Sequence, residues 1–213
     1  MAPLGRLDPL DARTAADVDV ELASMTEKDS LAATIASVAT LRGEFTLRSG
    51  AVSAEYFDKY RFESDPTLLQ AIAEHLVTMI PPHTQALAGL ELGGVPIATA
   101  LALRSGLPIV FVRKRAKDYG TRQLAEGLDV RGLRLLVVED VVTSGGQVVA
   151  STNDLRALGA VVTDALCVID RESGGPAALA TAGIFLRGIP VVDTPRLPRS
   201  RYGRSIAISS ARR

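Results

Sequence analysis

From residue 86 to residue 170, short apolar runs alternate with segments whose apolar positions recur at helical spacing. "ALAGLEL", "LPIVFVR", "RLLVVEDVV" and "VVTDALCVID" each have the length and continuity of a parallel strand buried on both faces. Between them, "GGVPIATALALRSG" supplies a glycine turn, a helix and a terminating Gly106, and "GGQVVASTNDLRALGA" supplies a helix starting near Gln147. Strand and helix in this order predict an α/β fold: a doubly wound, mostly parallel sheet flanked by helices.

The part ahead of this alternation is patterned differently. Asp29 or Ser30 is expected to cap a helix whose apolar positions are Leu31, Ile35, Val38 and Leu41, with Gly43 ending it. "FTLRSGAVSAEYFD" reads as strand, turn and strand. Asp65 then caps a helix with Pro66 in its first turn and a stripe of Leu69, Ile72, Leu76 and Ile80, stopped by Pro81 and Pro82. Residues 1–28 lack sustained periodicity and are expected to form a poorly ordered extension. Residues 29–192 form the folded domain, and 193–213 an Arg-rich tail, read as solvated.

Length and charge narrow the classes of function. The 213 residues suit one domain with a sizeable core, and 24 basic residues balance 24 acidic ones. No basic surplus favours nucleic acid or an anionic membrane, so any anion site must be local. Cys167 is the sole cysteine, which excludes an internal disulfide and a cysteine-based zinc cluster; inside "DALCVID" it reads as a small buried hydrophobe. His75 and His83 read as structural or exposed. With no run of about 18 apolar residues and no leader pattern, a cytoplasmic protein is expected.

Two stretches carry chemistry. In "LLVVEDVVTSGGQ" an apolar strand ends in Glu139 and Asp140, and Thr143, Ser144, Gly145 and Gly146 follow as a turn into a helix. Ligands of such sheets bind beyond the carboxyl ends of the strands, where strand order reverses. The N–H groups of a glycine turn at a helix start suit a phosphate, and glycine lets the backbone come close. The two carboxylates repel a phosphate but suit the vicinal hydroxyls of a ribose, or a metal ion. Acids and hydroxyls at a helix start also serve as caps, which is the bland alternative. Neither GxxxxGK[ST], nor GxGxxG, nor a GxSxG elbow is present. The second stretch, "FVRKRAKDYGTRQLAEG", crowds Arg113, Lys114, Arg115 and Lys117 after a strand. Such a cluster is either solvated or gathered around a polyanion, and its position at the same sheet edge suits a lid over the phosphate.

"VVEDVVTSGG" closely resembles the phosphoribosyl-diphosphate signature of the type I phosphoribosyltransferases. "FTLRSGAVSAEYFD", "VRKRAKDYG" and "VIDRESGG" resemble segments of the orotate phosphoribosyltransferase family in the same order, so the resemblance spans about residues 29–192. It implies the type I phosphoribosyltransferase fold with a small N-terminal hood and a flexible lid loop. It also implies transfer of phosphoribosyl from 5-phosphoribosyl 1-diphosphate (PRPP) to orotate, giving orotidine 5-phosphate and pyrophosphate in pyrimidine synthesis. By resemblance, Glu139 and Asp140 hold the ribose hydroxyls, and Val142, Thr143, Ser144, Gly145 and Gly146 cradle the 5-phosphate. Lys117 contacts the departing pyrophosphate as the main catalytic side chain, with Asp118 beside it and Arg113 and Lys114 as helpers. Arg171 binds the orotate carboxylate, with Arg48, Thr143 and the backbone around Tyr56 and Phe57 completing the base site. Mg²⁺ bound mainly through PRPP, and a homodimer whose lid reaches the neighbouring site, are implied as well.

Two positions depart from the family pattern. Tyr119 stands where a lid histidine is common, and Gly93, in "GLELGGVP", where some members carry a lysine. Two alternatives remain at this stage: a phosphoribosyltransferase for another base, against which Arg171 and Arg48 argue, and a non-catalytic PRPP-sensing regulator, against which Lys117 and the neutral charge argue.

Overall fold

A computed structural model describes residues 27–47, 50–115, 123–171 and 174–189. Helix α1 (Glu27–Ala39) leads into strands β1 (Thr40–Thr46) and β2 (Val52–Phe57), then a short helix α2 (Tyr60–Glu63) and helix α3 (Pro66–Val77). The alternating part follows: β3 (Ala86–Leu90), α4 (Gly94–Ser105), β4 (Ile109–Val112), β5 (Ala125–Glu126), β6 (Arg134–Val142), α5 (Gly146–Ala157), β7 (Val161–Asp170), α6 (Gly175–Thr181) and β8 (Phe185–Ile189).

The main sheet runs β5-β4-β3-β6-β7-β8, and every neighbouring pair is parallel except β4 with β5. From β3 the chain moves outward to β4, then crosses back to β6 on the other side of β3. The order therefore reverses between β3 and β6, and that is where a crevice opens at the carboxyl edge. Side chains alternate across the sheet and give it two apolar faces. Leu87, Leu136, Val138, Leu166 and Val168 pack with Leu31 and Ile35 of α1, Leu68, Ile72 and Leu76 of α3, and Ile97 and Leu101 of α4. Ala86, Ala88, Leu135, Val137, Ala165 and Cys167 pack on the opposite face with Val148 and Leu155 of α5 and Leu179 of α6.

The doubly wound sheet expected from the sequence is present, with local differences. Helix α1 begins at Glu27, two residues before the expected cap at Asp29 or Ser30, so residues 27 and 28 are helical. It also stops at Ala39 instead of Gly43, because Thr40 pairs with Phe57 and Leu41 with Tyr56 in an antiparallel ribbon. Ribbon pairing overrides helical spacing here, and Gly43 lies within β1 at a register shift between Arg42 and Phe45. Helix α3 starts as expected: Asp65 Oδ1 accepts from Thr67 N and Leu68 N at 2.9 and 3.0 Å, with Pro66 in the first turn. Its buried stripe is Leu68, Ile72, Ala73 and Leu76 rather than one through Leu69 and Ile80. It ends at Val77 in turns bonded from Met79 N to Leu76 O and Ile80 N to Val77 O, since a residue before proline is turned away from helix. Gly106, at φ 72°, ends α4 as expected.

The extension, apart from residues 27 and 28, lies outside the described residues, as do the 193–213 tail, Arg48, and Lys117, Asp118 and Tyr119 of the proposed lid. Among the described residues no helix is long and apolar enough to cross a membrane.

Candidate active site

Three loops converge on the crevice between β3 and β6. The loop Glu91–Gly94 joins β3 to α4, the loop Thr143–Gly146 joins β6 to α5, and Asp58 and Lys59 join the hood ribbon to α2. Asp140 continues the series Leu136 and Val138, so it points toward the face of α1, α3 and α4. Glu139 points the other way, beside Cys167 on β7. Both acids are buried, Glu139 at 8% exposure and Asp140 at 1%. Glu139 Oε1 accepts from Asp140 N at 3.1 Å, and Asp140 Oδ1 from Val141 N at 2.6 Å.

Two residues not anticipated from the sequence complete this acid centre. The ammonium of Lys59 forms an ion pair with Asp140, and Glu63, one turn further along α2 and 8% exposed, lies against the same carboxylate. Three buried carboxyls share one cation, so they cannot all ionise. Burial first, and the neighbouring Asp140 second, push Glu139 up to about 9 and Glu63 up to about 8. For Asp140 burial acts in the same upward sense, but hydrogen bonds with Glu139, Glu63 and Lys59 outweigh it and hold it below the ordinary value. Burial opposes the charge of Lys59 too, and Asp140 overrides that, raising it. At neutral pH the centre thus presents one ionised acceptor, Asp140, flanked by two protonated acids. That is suited to receiving hydroxyl groups and poorly suited to receiving an anion.

Glu63 has a consequence for stability. The folded state holds a proton that the unfolded chain gives up near its ordinary value of 4.5. Stability is therefore lost as pH rises from about 4.5 through about 8. Glu63→Gln removes this loss: denaturation at pH 5 and pH 8.5 is expected to show the variant gaining on the wild type by several degrees in Tm at the higher pH. An advantage independent of pH would show that Glu63 titrates as an exposed glutamate.

The phosphate-type loop has the expected form. Gly145, at φ 77°, precedes α5, which has no side-chain cap, so the first-turn N–H groups of α5 point out of the helix end without helical acceptors. A Cβ on Gly145 would run into Leu179 and lie 3.2 Å from Gly175 O, whereas one on Gly146 would meet only Ser144 Oγ at 3.8 Å. Gly146, Thr143 and Ser144 face solvent, and Val142 is buried beneath them. Gly93 lies in close approach: a Cβ there would overlap the Asp140 carboxylate as it stands, so a side chain at that position needs Asp140 and Lys59 to shift.

On the far side of β6, Arg171 N donates to Val142 O at 2.8 Å, and the Arg171 guanidinium lies 5.3 Å from the centre of the Phe57 ring. A guanidinium half-withdrawn from water beside an aromatic face can hold a planar carboxylate by two parallel hydrogen bonds. The Tyr56 ring points to the other side of the ribbon, 5.5 Å from Phe45, so only its backbone shares the crevice with Phe57. At the end of β4, Arg113 N donates to Leu124 O at 2.9 Å and Lys114 N to Glu91 Oε1 at 2.6 Å. These bonds close the base of the basic segment over the loop after β3. The Arg113 Nε is buried with no acceptor among the described residues, a donor left over for an anion.

Among the described residues the structure thus gathers Glu139, Asp140, the loop Val142–Gly146, Arg171, Phe57, Arg113 and Lys114 at one sheet edge. His83 lies elsewhere: its Nε2 is 3.4 Å from Asp164 Oδ2, toward the amino ends of the strands. Cys167 is buried and its thiol pushed up by burial, as suits a core residue. Lys59 and Glu63 were missed because "DKYRFESD" has the look of a solvated charge run. Their i, i+4 spacing puts both on one helical face, but nothing local says which way that face turns.

A doubly wound sheet with a ribose-type acid pair and a phosphate-type loop at its switch point defines a phosphoribosyl-transferring enzyme. Residues 66–182 match the phosphoribosyl transferase domain family, and the chain belongs to it. It is similar to the orotate phosphoribosyltransferase of a Nocardioides species, 50% identical over 83% of this chain and 98% of that protein. It also resembles the Mycobacterium tuberculosis orotate phosphoribosyltransferase in complex with Fe(III) dicitrate, with TM-score 0.70 and 29% identity over 77% of this chain and 95% of that one. The same enzyme in complex with PRPP gives TM-score 0.64 and 28% identity, covering 77% and 95%. The activity is that of an orotate phosphoribosyltransferase, which makes orotidine 5-phosphate and pyrophosphate from PRPP and orotate.

Proposed function

We propose that the gathered residues divide that reaction between them. The observation that carries this reading is the meeting, at one switch point, of an ionised acid, a glycine loop opening a helix, and an arginine beside an aromatic ring. Asp140, steadied by Glu139, accepts the ribose hydroxyls. The amides of Val142–Gly146 and the hydroxyls of Thr143 and Ser144 hold the 5-phosphate. Arg171 takes the orotate carboxylate with the base lying near Phe57, while Arg48 and Thr143 complete that side by resemblance.

An orotate ring nitrogen then attacks C1 of the ribose and gives up its proton, the bond from C1 to the diphosphate oxygen breaks, and its electron pair leaves with pyrophosphate, whose oxygens can take that proton. Charge builds on the leaving group, so its neutralisation and the in-line placement of the partners supply the rate. Arg113 and Lys114 stand at that side. Lys117, with Asp118, closes over it by resemblance.

Mg²⁺ fits this arrangement as a passenger on the donor. Among the described residues no group of three metal-ligating side chains could hold it, yet the ionised Asp140 could face a cation carried by the diphosphate. When bound, it supplies neutralisation of diphosphate charge. A cytoplasmic homodimer, with each basic segment reaching the partner's site, completes the proposal.

The test is loss of orotate absorbance with PRPP and Mg²⁺, run beside uracil and hypoxanthine. Orotate alone should be consumed, and only with both donor and metal. Arg171→Ala is expected to raise the orotate KM about a hundredfold, the scale of a lost charge-assisted pair, with a far smaller change for PRPP. Equal effects on both substrates would remove Arg171 from the base site.

A further inference from the structure

We infer that Lys59 is a donor-binding residue that holds the diphosphate of PRPP. The inference rests on the reading above that Asp140 receives the ribose hydroxyls. Lys59 caps α2 in the hood and sends its side chain down into the crevice, with about a third of it exposed. There the ammonium meets Asp140 on one side and the loop Glu91–Gly94 on the other. Its Nζ lies 2.8 Å from the point where a Cβ on Gly93 would stand.

The Lys59 ammonium therefore occupies the space that a side chain at position 93 would enter, beside the Asp140 carboxylate. The donor's geometry does the rest. Its diphosphate leaves from C1, adjacent to the hydroxyl-bearing C2, so a ribose seated on Asp140 places the diphosphate within a few ångströms of that carboxylate. The side of the acid centre that can accept an anion is the side carrying Lys59, because the other flanks are Glu139 and Glu63. Arg113 and Lys114 approach from the end of β4, across the Glu91–Gly94 loop, so Lys59 closes the diphosphate site from the hood side.

In the donor-free protein the ammonium neutralises Asp140. With PRPP present it shares itself between that carboxylate and a diphosphate oxygen, while the ribose hydroxyls supply Asp140 with new hydrogen bonds. A merely structural ion pair would tie the hood to the sheet and do no more.

The experiment compares wild type, Lys59→Met and Lys59→Arg, all full-length, by calorimetric titration with magnesium pyrophosphate and by steady-state kinetics. Lys59→Met is expected to weaken pyrophosphate binding and raise the PRPP KM about tenfold or more, with the orotate KM within about threefold, and Lys59→Arg to recover most of the loss. A purely structural pair predicts a lower Tm with pyrophosphate affinity unchanged, and that result overturns the inference. A second arm needs no variant: acetylation of lysines in the wild type, read by mass spectrometry, should show Lys59 protected by magnesium pyrophosphate and not by orotate. Unchanged reactivity of Lys59 would overturn the inference even if both variants misfold. Wild type that turns over orotate and binds pyrophosphate, with Lys59→Met equal to it, removes Lys59 alone. Wild type that binds no pyrophosphate removes Lys59 and the donor-site reading together.

Discussion

Asp140→Ala is expected to lower kcat/KM for PRPP by about a thousandfold, the sum of two charge-assisted hydrogen bonds to ribose hydroxyls at about 2 kcal/mol each. Asp140 is the one acid of its centre held ionised, with burial of the other two keeping protons on Glu139 and Glu63. Neither neighbour can take over its role without releasing a proton into a buried site. Removing it also strands the Lys59 ammonium, whose pairing with Asp140 offsets its own burial. Asp140→Asn keeps the shape and loses the charge, so it should fall between the alanine variant and wild type. Initial rates with PRPP varied at saturating orotate decide the matter. A change within about threefold for the alanine variant would take Asp140 out of the ribose site.

The second large effect separates two glycines that look alike in the sequence. Gly145→Ala meets a backbone at φ 77° and the Leu179 side chain, so the loop must move. Both Tm and PRPP affinity should fall, the latter by about a hundredfold if the 5-phosphate loses its amide contacts. Gly146→Ala meets only Ser144 Oγ at 3.8 Å, so its Tm should stay near wild type. Its PRPP affinity should still drop if the phosphate sits on this loop as proposed, because the added methyl stands at the exposed helix start. Thermal melts paired with PRPP titrations read the contrast. Normal PRPP binding by Gly146→Ala would mean that the phosphate does not approach that backbone.

Much of this is legible in the amino-acid sequence. The β3, β4, β6 and β7 runs are apolar on both faces, which few structures other than a buried parallel sheet can accommodate, and their spacing left room for the connecting helices. The acid pair and the glycine turn sit next to one another in the chain, so their juxtaposition needed no long-range knowledge. β5 escaped notice because a two-residue strand has no periodicity, only its pairing with Phe111 and Val112. The early end of α1 escaped it because Thr40 and Leu41 are claimed by residues 57 and 56 across the ribbon. Lys59 and Glu63 escaped it for a similar reason. Their inward direction is set by how the ribbon docks, with Asp58 N bonded to Ala39 O at 2.8 Å, and docking is not written into five charged residues.

The bond from Arg171 N to Val142 O gives the site a further property. In the proposed site Val142 opens the phosphate loop and Arg171 the segment that faces the base, and the strands leading to them pair up to Val142 and Asp170. The distance between the nucleotide's phosphate anchor and its base anchor is thereby a property of the sheet backbone, indifferent to the side chains at either end. On the proposed assignment, selectivity for the base can then drift or be redesigned at positions 57 and 171 while the grip on the sugar phosphate is inherited unchanged. One scaffold of this kind can supply a whole repertoire of nucleotides by exchanging only the groups that face the ring.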